Sequence, residues 1–303
     1  MSDHVLPSVS AIIATRGRAT LLRAIDGVLG QTYDGPVTCV VVFDGSAPLD
    51  LSDVSVRDGR SLVVLQNTRA SGLAGARNAG TEAAEGDLLA FCDDDDVWWP
   101  TKIRKQVDTL QRRQAQVAVT GVRIVFDDHE TDRVPHETVT REQLLHARST
   151  AVHPSSLLVT REAFEAIGPI DEAIPGSYGE DYEWLLRAAS RGAIVAVPEP
   201  LVTVHWGGSL FADRWQTIAD AIAYLTAKHP ALLDDGANAA RLHGRVAFAH
   251  AAMGHRRVAT RWAWRSIRRR PIEPRPYLAL AVASGCVRAS TIQRRANRVG
   301  RGV

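Results

Sequence analysis

Four consecutive aspartates, Asp93, Asp94, Asp95 and Asp96, follow the apolar run Leu88-Leu89-Ala90-Phe91-Cys92 and precede Val97-Trp98-Trp99-Pro100. Like charges crowded in this way repel unless water or a cation relieves them. A solvated acidic turn would answer the repulsion one way. A hard divalent cation, Mg²⁺ or Mn²⁺, held by the carboxylates and shared with a phosphate would answer it another way. A second acidic pair, Glu180-Asp181, opens the stretch Gly179-Glu180-Asp181-Tyr182-Glu183-Trp184-Leu185-Leu186-Arg187. Carboxylates in the first turn of a helix complement its dipole. A carboxylate fixed there beside a cleft is also a well-positioned general base. Asp44 stands on the turn Asp44-Gly45-Ser46, and His205 precedes Trp206-Gly207-Gly208, where it is either structural or able to touch a metal or a diphosphate.

The elements that must aim these groups alternate between strand and helix. Val9-Ser10-Ala11-Ile12-Ile13 reads as a strand followed by the loop Ala14-Thr15-Arg16-Gly17-Arg18, and a helix from Thr20 puts Leu21, Leu22, Ile25, Val28 and Leu29 on one face. Further strands are expected at 37–43, 62–65, 87–92, 117–126 and 193–197, with helices at 72–84, 100–113 and 161–167. The polar stretch 127–140 reads as a loop. This alternation implies an α/β fold with a mainly parallel sheet flanked by helices. Ligands of such sheets bind at the carboxyl ends of the strands, which is where Thr15, Asp44, Arg77 and the aspartate run collect. The chain holds neither G-x-G-x-x-G after the first strand nor G-x-x-x-x-G-K-[ST] anywhere, so a dinucleotide fingerprint and a Walker loop are unsupported.

At 303 residues, 45% hydrophobic and 23% charged, the composition is that of a soluble protein with a full core. Cys39, Cys92 and Cys286 are scattered, and the first two fall in apolar strand patterns, as small core residues in a reducing compartment do. Neither a secretory signal nor a membrane-spanning run is read from the sequence, so a cytoplasmic location is expected. The net charge of +2 conceals a division: residues 256–303 carry thirteen arginines and one acid, Glu273, for +12, and the remainder therefore carries −10. A basic tail on an acidic body suits an anionic partner, either nucleic acid or a membrane surface at the inner face of the cell membrane. The tail, from residue 211, is expected to be helical, with helices at 213–228, 237–253, 255–269 and 275–287. In the third, Val258, Trp262 and Ser266-Ile267 share a face ringed by arginines, with Trp264 apart, a combination that fits a helix lying on an interface.

In this order the motifs resemble family 2 glycosyltransferases of the GT-A, Rossmann-like fold. The resemblance rests on Val9 to Thr15, Gln31-Thr32-Tyr33, Val40-Val41-Val42-Phe43-Asp44-Gly45-Ser46 and Gly75-Ala76-Arg77-Asn78-Ala79-Gly80. It continues through Phe91 to Asp96, Trp98, Pro100, Lys102, Gly168-Pro169-Ile170-Asp171-Glu172 and Glu180-Asp181. It covers about residues 7–210, implying a catalytic domain at 1–210 and a basic helical region at 211–303. The resemblance implies that Ala14, Thr15, Arg16, Asp44, Arg77 and Asp94 hold a nucleotide-diphosphate sugar. Asp95 with Asp93 would bind Mn²⁺ or Mg²⁺, to which the loop residue His205 is added as a candidate ligand on its own position, and Asp181, beside Glu180, would be the catalytic base. Trp98 and Trp99 are placed on the acceptor side. Arg16-Gly17 and Phe43 depart from the Tyr-Asn and the acid usual in the family, both at the nucleotide-base end. No Q-x-x-R-W is present, which favours addition of one sugar per binding event; the resemblance points to a hydroxyl of a saccharide or lipid-linked glycan as acceptor, and a single base opposite the leaving group to inversion. The alternatives are nucleotidyl transfer on a related α/β fold, and a non-catalytic protein gripping membrane or nucleic acid; with the glycosyltransferase reading, nucleic acid is not expected as a partner.

Overall fold

The computed structural model describes residues 6–146, 152–206 and 214–298. The strands β1 (Val9–Thr15), β2 (Val37–Phe43), β3 (Arg60–Gln66) and β4 (Leu88–Asp93) run parallel in the order β3-β2-β1-β4. Every residue of β1 is buried, as in strands covered on both faces. On one face α1 (Leu21–Leu29) contributes Leu21, Ala24, Ile25, Val28 and Leu29 to a core with Ile13 and Val41. On the other, α2 (Leu73–Ala83) lays Ala74, Ala76 and Ala79 against Ile12, Val40 and Val42. It comes so near that a β-carbon at Gly80 would sit 2.5 Å from Ile12 Cγ2. The small residues of α2 set this approach, and it brings Arg77 to the sheet edge.

The chain continues through β5 (Val97–Trp98), α3 (Lys102–Arg113), β6 (Val117–Phe126), β7 (His129–Arg133), β8 (Thr138–Val139), α4 (Arg141–His146), β9 (Leu158–Thr160), α5 (Arg161–Ile167), α6 (Glu180–Arg191) and β10 (Ile194–His205). The sheet has ten strands in the order β3-β2-β1-β4-β9-β6-β10-β5, with β7 beside β6 and β8 beside β10. Strands β9, β5, β7 and β8 are antiparallel to their neighbours, so the sheet is mainly parallel.

Two local expectations change. Residues 127–140 carry β7 and β8 rather than a bare loop, because backbone pairing to β6 and β10 holds polar residues with no apolar alternation. The last strand also runs beyond 197, through Pro198 and Pro200, to His205. Its register against β6 shifts at Val197/Pro200 and again at Pro200/Thr203, which accommodates residues that lack an N–H.

Five helices follow: α7 (Trp215–Lys228), α8 (Gly236–Ala252), α9 (Arg256–Arg269), α10 (Pro274–Ala283) and α11 (Ala289–Arg298). The helix expected over 275–287 stops at Ala283, short of Gly285 at φ +86°, and α11 follows it. Ile218, Ile222, Leu225, Leu242 and Val246 of α7 and α8 enter the same core as Leu185 and Leu186 of α6. Helices α9 and α10 pack on α8 through Ala247, Phe248, Ala259, Ala263, Ala279 and Ala283. The boundary expected at 210/211 and Gly207-Gly208 lie outside the described residues. No helix among the described residues is long and apolar enough to cross a membrane.

Candidate functional site

Parallel register brings the site together. Thr15 pairs with Phe43 and Ala14 with Asp93, so the ends of β1, β2 and β4 deliver Thr15, Asp44 and the aspartate run to one edge. Asp44 is buried and fastens the segment leading into α2, accepting hydrogen bonds from Asn67 Nδ2 at 2.8 Å and from the Gly72 amide at 3.0 Å. Arg16 is exposed and its Nε approaches the Asp44 carbonyl at 3.4 Å.

Each aspartate of the run meets a different partner. Asp93 is paired with Arg77, and its amide donates to Ser155 Oγ at 2.9 Å. Asp94 is buried, accepts from Thr15 Oγ1 at 2.6 Å and pairs with Arg18. Arg18 also reaches Asp95 Oδ2 at 2.8 Å. Asp96 is 1% exposed and accepts from Ser155 Oγ, with His153 Nδ1 3.3 Å away. Burial, helped by Asp93, raises the pKa of Asp95 and Asp96 above the ordinary aspartate value, opposed by Arg18 at the first and by Ser155 at the second.

The acidic pair on α6 joins the same edge. Gly179 caps the helix at φ +85°, a conformation that strains a side chain, and sets Glu180 and Asp181 in the first turn. Glu180 is buried and paired with Arg77, whose side chain is 3% exposed and also holds Asp93. Burial opposes the charge of Arg77, but the fields of Asp93, Glu180 and Asp181 outweigh it, so the guanidinium stays ionised. Burial likewise pushes the Glu180 carboxyl above its usual range; Arg77 pulls it back, and Asp181 and Asp93 push it further. Asp181 is only partly buried and is thus the member of the pair that solvent or a ligand can reach.

His205, at the end of β10, places Nδ1 3.0 Å from the Asp95 carbonyl. A carbonyl only accepts, so Nδ1 carries a hydrogen and Nε2 is the ring nitrogen left to face a ligand. The group of described side chains whose ligand atoms lie within 4.8 Å of one another is Asp93, Asp96 and His153. Asp93 is thus the member of the expected metal set that belongs to this group, and Asp95 is held by Arg18. Trp98, expected on the acceptor side, is instead 2% exposed in the core, with Lys102 Nζ 3.8 Å from its ring centre. Trp99 is partly exposed, with Nε1 donating to Thr203 Oγ1 and Arg123 over its ring. Arg18, Ser155 and His153 are site residues that no motif revealed; each reaches the acids only through tertiary folding.

Comparison with known proteins bears on this geometry. The Succinoglycan biosynthesis protein ExoO of Rhizobium meliloti (strain 1021) is 31% identical over 209 residues, 63% of this chain and 58% of that protein. The UDP-Glc:alpha-D-GlcNAc-diphosphoundecaprenol beta-1,3-glucosyltransferase WfaP of Escherichia coli is 33% identical over 106 residues, 34% of this chain and 41% of that protein. The chain therefore matches under two-thirds of the length of either relative. Among solved structures, S. aureus TarS 1-349 in complex with UDP-GlcNAc superposes with a TM-score of 0.57 at 15% identity, over 97% of this chain and 92% of that one. The mannosyltransferase PcManGT from Pyrobaculum calidifontis, in complex with GDP-Man and Mn2+, gives 0.56 at 18% identity, over 97% and 83%. At these identities the likeness is one of fold, and the fold is GT-A. The family described as Glycosyl transferase family 2 matches residues 10–168, more than half of the 303 residues and the span that supplies Thr15, Asp44, Arg77 and the aspartate run, and the chain belongs to that family.

Proposed function

We propose that the chain is a metal-dependent, inverting glycosyltransferase. It moves one sugar per binding event from a nucleotide-diphosphate donor to a hydroxyl of a saccharide or lipid-linked glycan. The observation that carries this reading is the Arg77 bridge, which ties the aspartate run on β4 to the acidic pair on α6. A leaving-group end and a proton-accepting end are then held side by side. Thr15, Asp44 and Asp94 line the nucleotide side, with the backbone at Ala14 and Arg16. Asp181 accepts the acceptor hydroxyl's proton as the new sugar–oxygen bond forms, since free ionisation of that hydroxyl lies far above a carboxylate's range. A single base opposite the leaving diphosphate gives in-line displacement and inversion.

The residues present fit a hard dication. Asp93 offers a carboxylate oxygen within 4.8 Å of ligand atoms on Asp96 and His153; Asp95 would join them on leaving Arg18, and His205, whose Nδ1 faces the Asp95 carbonyl, has Nε2 left to offer. When bound, Mn²⁺ or Mg²⁺ supplies positive charge to the departing diphosphate. The name of the Escherichia coli relative gives it UDP-glucose as donor and a diphosphoundecaprenol-linked acceptor, which supports a lipid-linked acceptor here. The tail supports a site at the cytoplasmic membrane face, though not through the face expected: Trp262 and Ser266 pack inward on α9, and it is Trp264 that is 55% exposed, with Arg261, Arg265 and Arg268 exposed around it.

The test is donor hydrolysis and transfer with Mn²⁺ across UDP-, GDP- and dTDP-sugars. Asp95→Asn and Asp181→Asn are each expected to lose about 10²–10⁴ in rate, with nucleotide affinity kept in the latter. Full activity in both variants overturns the assignment. Co-sedimentation with phosphatidylglycerol against phosphatidylcholine vesicles tests the tail, with binding to the anionic vesicles alone expected and weakened in Trp264→Ala.

A further inference from the structure

Four adjacent carboxylates need counter-charge, and the structure shows where it comes from. Arg77 is locked between Asp93 and Glu180 and almost fully buried. Arg18 differs. It sits on the loop after β1, beyond Gly17 at φ +80°, its side chain is 33% exposed, and it divides one guanidinium between Asp94 and Asp95. The two aspartates are anchored unequally. Asp94 is 3% exposed and has a second partner in Thr15. Asp95 is 21% exposed, and its backbone carbonyl rather than its carboxylate is fixed, by His205. The Arg18–Asp95 contact is therefore the member of the network that can open without stranding a buried charge.

We infer that Arg18 is an exchangeable counter-ion of the aspartate turn, competing with a divalent cation for Asp95 and passing to the phosphates of a nucleoside diphosphate when that cation arrives with them. The inference rests on the metal-dependent reading above. A dication alone gains Asp95 but leaves Arg18 with one partner in place of two. A dication bound with a diphosphate brings the negative charge that pairs Arg18 again. Cation and nucleotide thus strengthen each other through Arg18, beyond their direct contact, and linkage makes the effect reciprocal. Arg18 is a positioning residue, read out by affinities rather than by turnover.

The experiment titrates Mn²⁺, followed by the electron paramagnetic resonance signal of the free ion, against wild type, Arg18→Met and Arg18→Lys, with and without UDP or GDP. Thermal unfolding confirms that the variants are folded. Without nucleotide, Arg18→Met is expected to bind Mn²⁺ about 2- to 5-fold more tightly than wild type, the range of a partly exposed ion pair. With the nucleoside diphosphate that wild type prefers, the order reverses by a similar factor, and Arg18→Lys falls between. Unchanged or weaker Mn²⁺ binding by folded Arg18→Met without nucleotide overturns the inference while leaving the metal-dependent reading intact. Absence of Mn²⁺ binding by wild type with either nucleotide overturns that reading and the inference with it.

Discussion

Arg77 on α2 and Glu180 on α6, 103 residues apart in the chain, form a buried ion pair whose other arm is Asp93 at the end of β4. One guanidinium thereby sets the spacing between the two acidic motifs. Removing it leaves Glu180 buried without its cation, a loss worth about 3–5 kcal/mol. Arg77→Met is expected to lower the urea unfolding free energy by that amount and to abolish transfer. Arg77→Lys cannot span both carboxylates in the planar fork that Arg uses, and it is expected to recover part of the stability with little of the activity.

Glu183 provides a pH test. It is fully buried and contacts Arg187 at 2.9 Å, Lys228 at 2.9 Å and His229 at 3.0 Å. Burial alone would raise its pKa, but the hydrogen bonds from Arg187 and Lys228 outweigh burial and hold it below the ordinary value of 4.5. A carboxyl depressed in the folded state contributes stability above its unfolded pKa and loses it as pH falls through the folded one. Glu183→Gln is expected to cost about 3 kcal/mol at pH 7 and progressively less below pH 4, measured by denaturant unfolding across that range.

Lys102 shifts in the same direction for a different reason, burial rather than ion pairing. It is 0% exposed, its Nζ donates to Gln106 Oε1 at 2.8 Å, and burial pushes its pKa down to about 7 from 10.5. The unfolded chain then binds more protons between those values, so this residue makes stability rise with pH across the interval, by about 1.4 kcal/mol per unit at most. Lys102→Met is expected to gain stability over wild type at pH 6 and to lose that advantage by pH 10. Paired melting curves at the two values decide it.

Ser155 links two acids: it accepts from the Asp93 amide and donates to the Asp96 carboxylate. Ser155→Ala leaves Asp96, 1% exposed, without that donor, at a cost of about 1–3 kcal/mol. Because the same hydroxyl fixes the Asp93 backbone, donor hydrolysis should fall more than stability alone explains. Ser155→Thr, which restores the hydroxyl, is expected to recover both, as read by unfolding and by hydrolysis at one temperature.

What could be read in the sequence divides along physical lines. Strands buried on both faces write themselves as apolar runs, so β1, β2 and β4 and the edge carrying Thr15, Asp44 and the aspartate run were legible. Partners were not. Val152-His153-Pro154-Ser155 holds no periodic signal, and its approach to Asp96 depends on β9 inserting between β4 and β6. Arg18 follows a strand as many loop arginines do; only the fold sets it against Asp94 and Asp95. Prolines usually end strands, so the sequence reads as a strand only to Val197, whereas the register of β10 slips to admit Pro198 and Pro200. Trp98 stands next to the aspartate run in sequence, yet a two-residue strand, β5, turns it into the core.

The seam between α6 and the helices after it bears on how this chain could be rebuilt. Ile218, Ile222, Leu225 and Leu242 fill the same core as Leu185 and Leu186, and each buried aliphatic side chain is worth about 1.5–3 kcal/mol. A chimaera joined near residue 210 to another enzyme's tail would inherit an oily wall with no matching face, and insoluble protein would follow. A graft begun within α9 lies beyond that wall, and to exchange the arginine-rich surface it must still bring small residues that match Ala247 and Phe248 of α8.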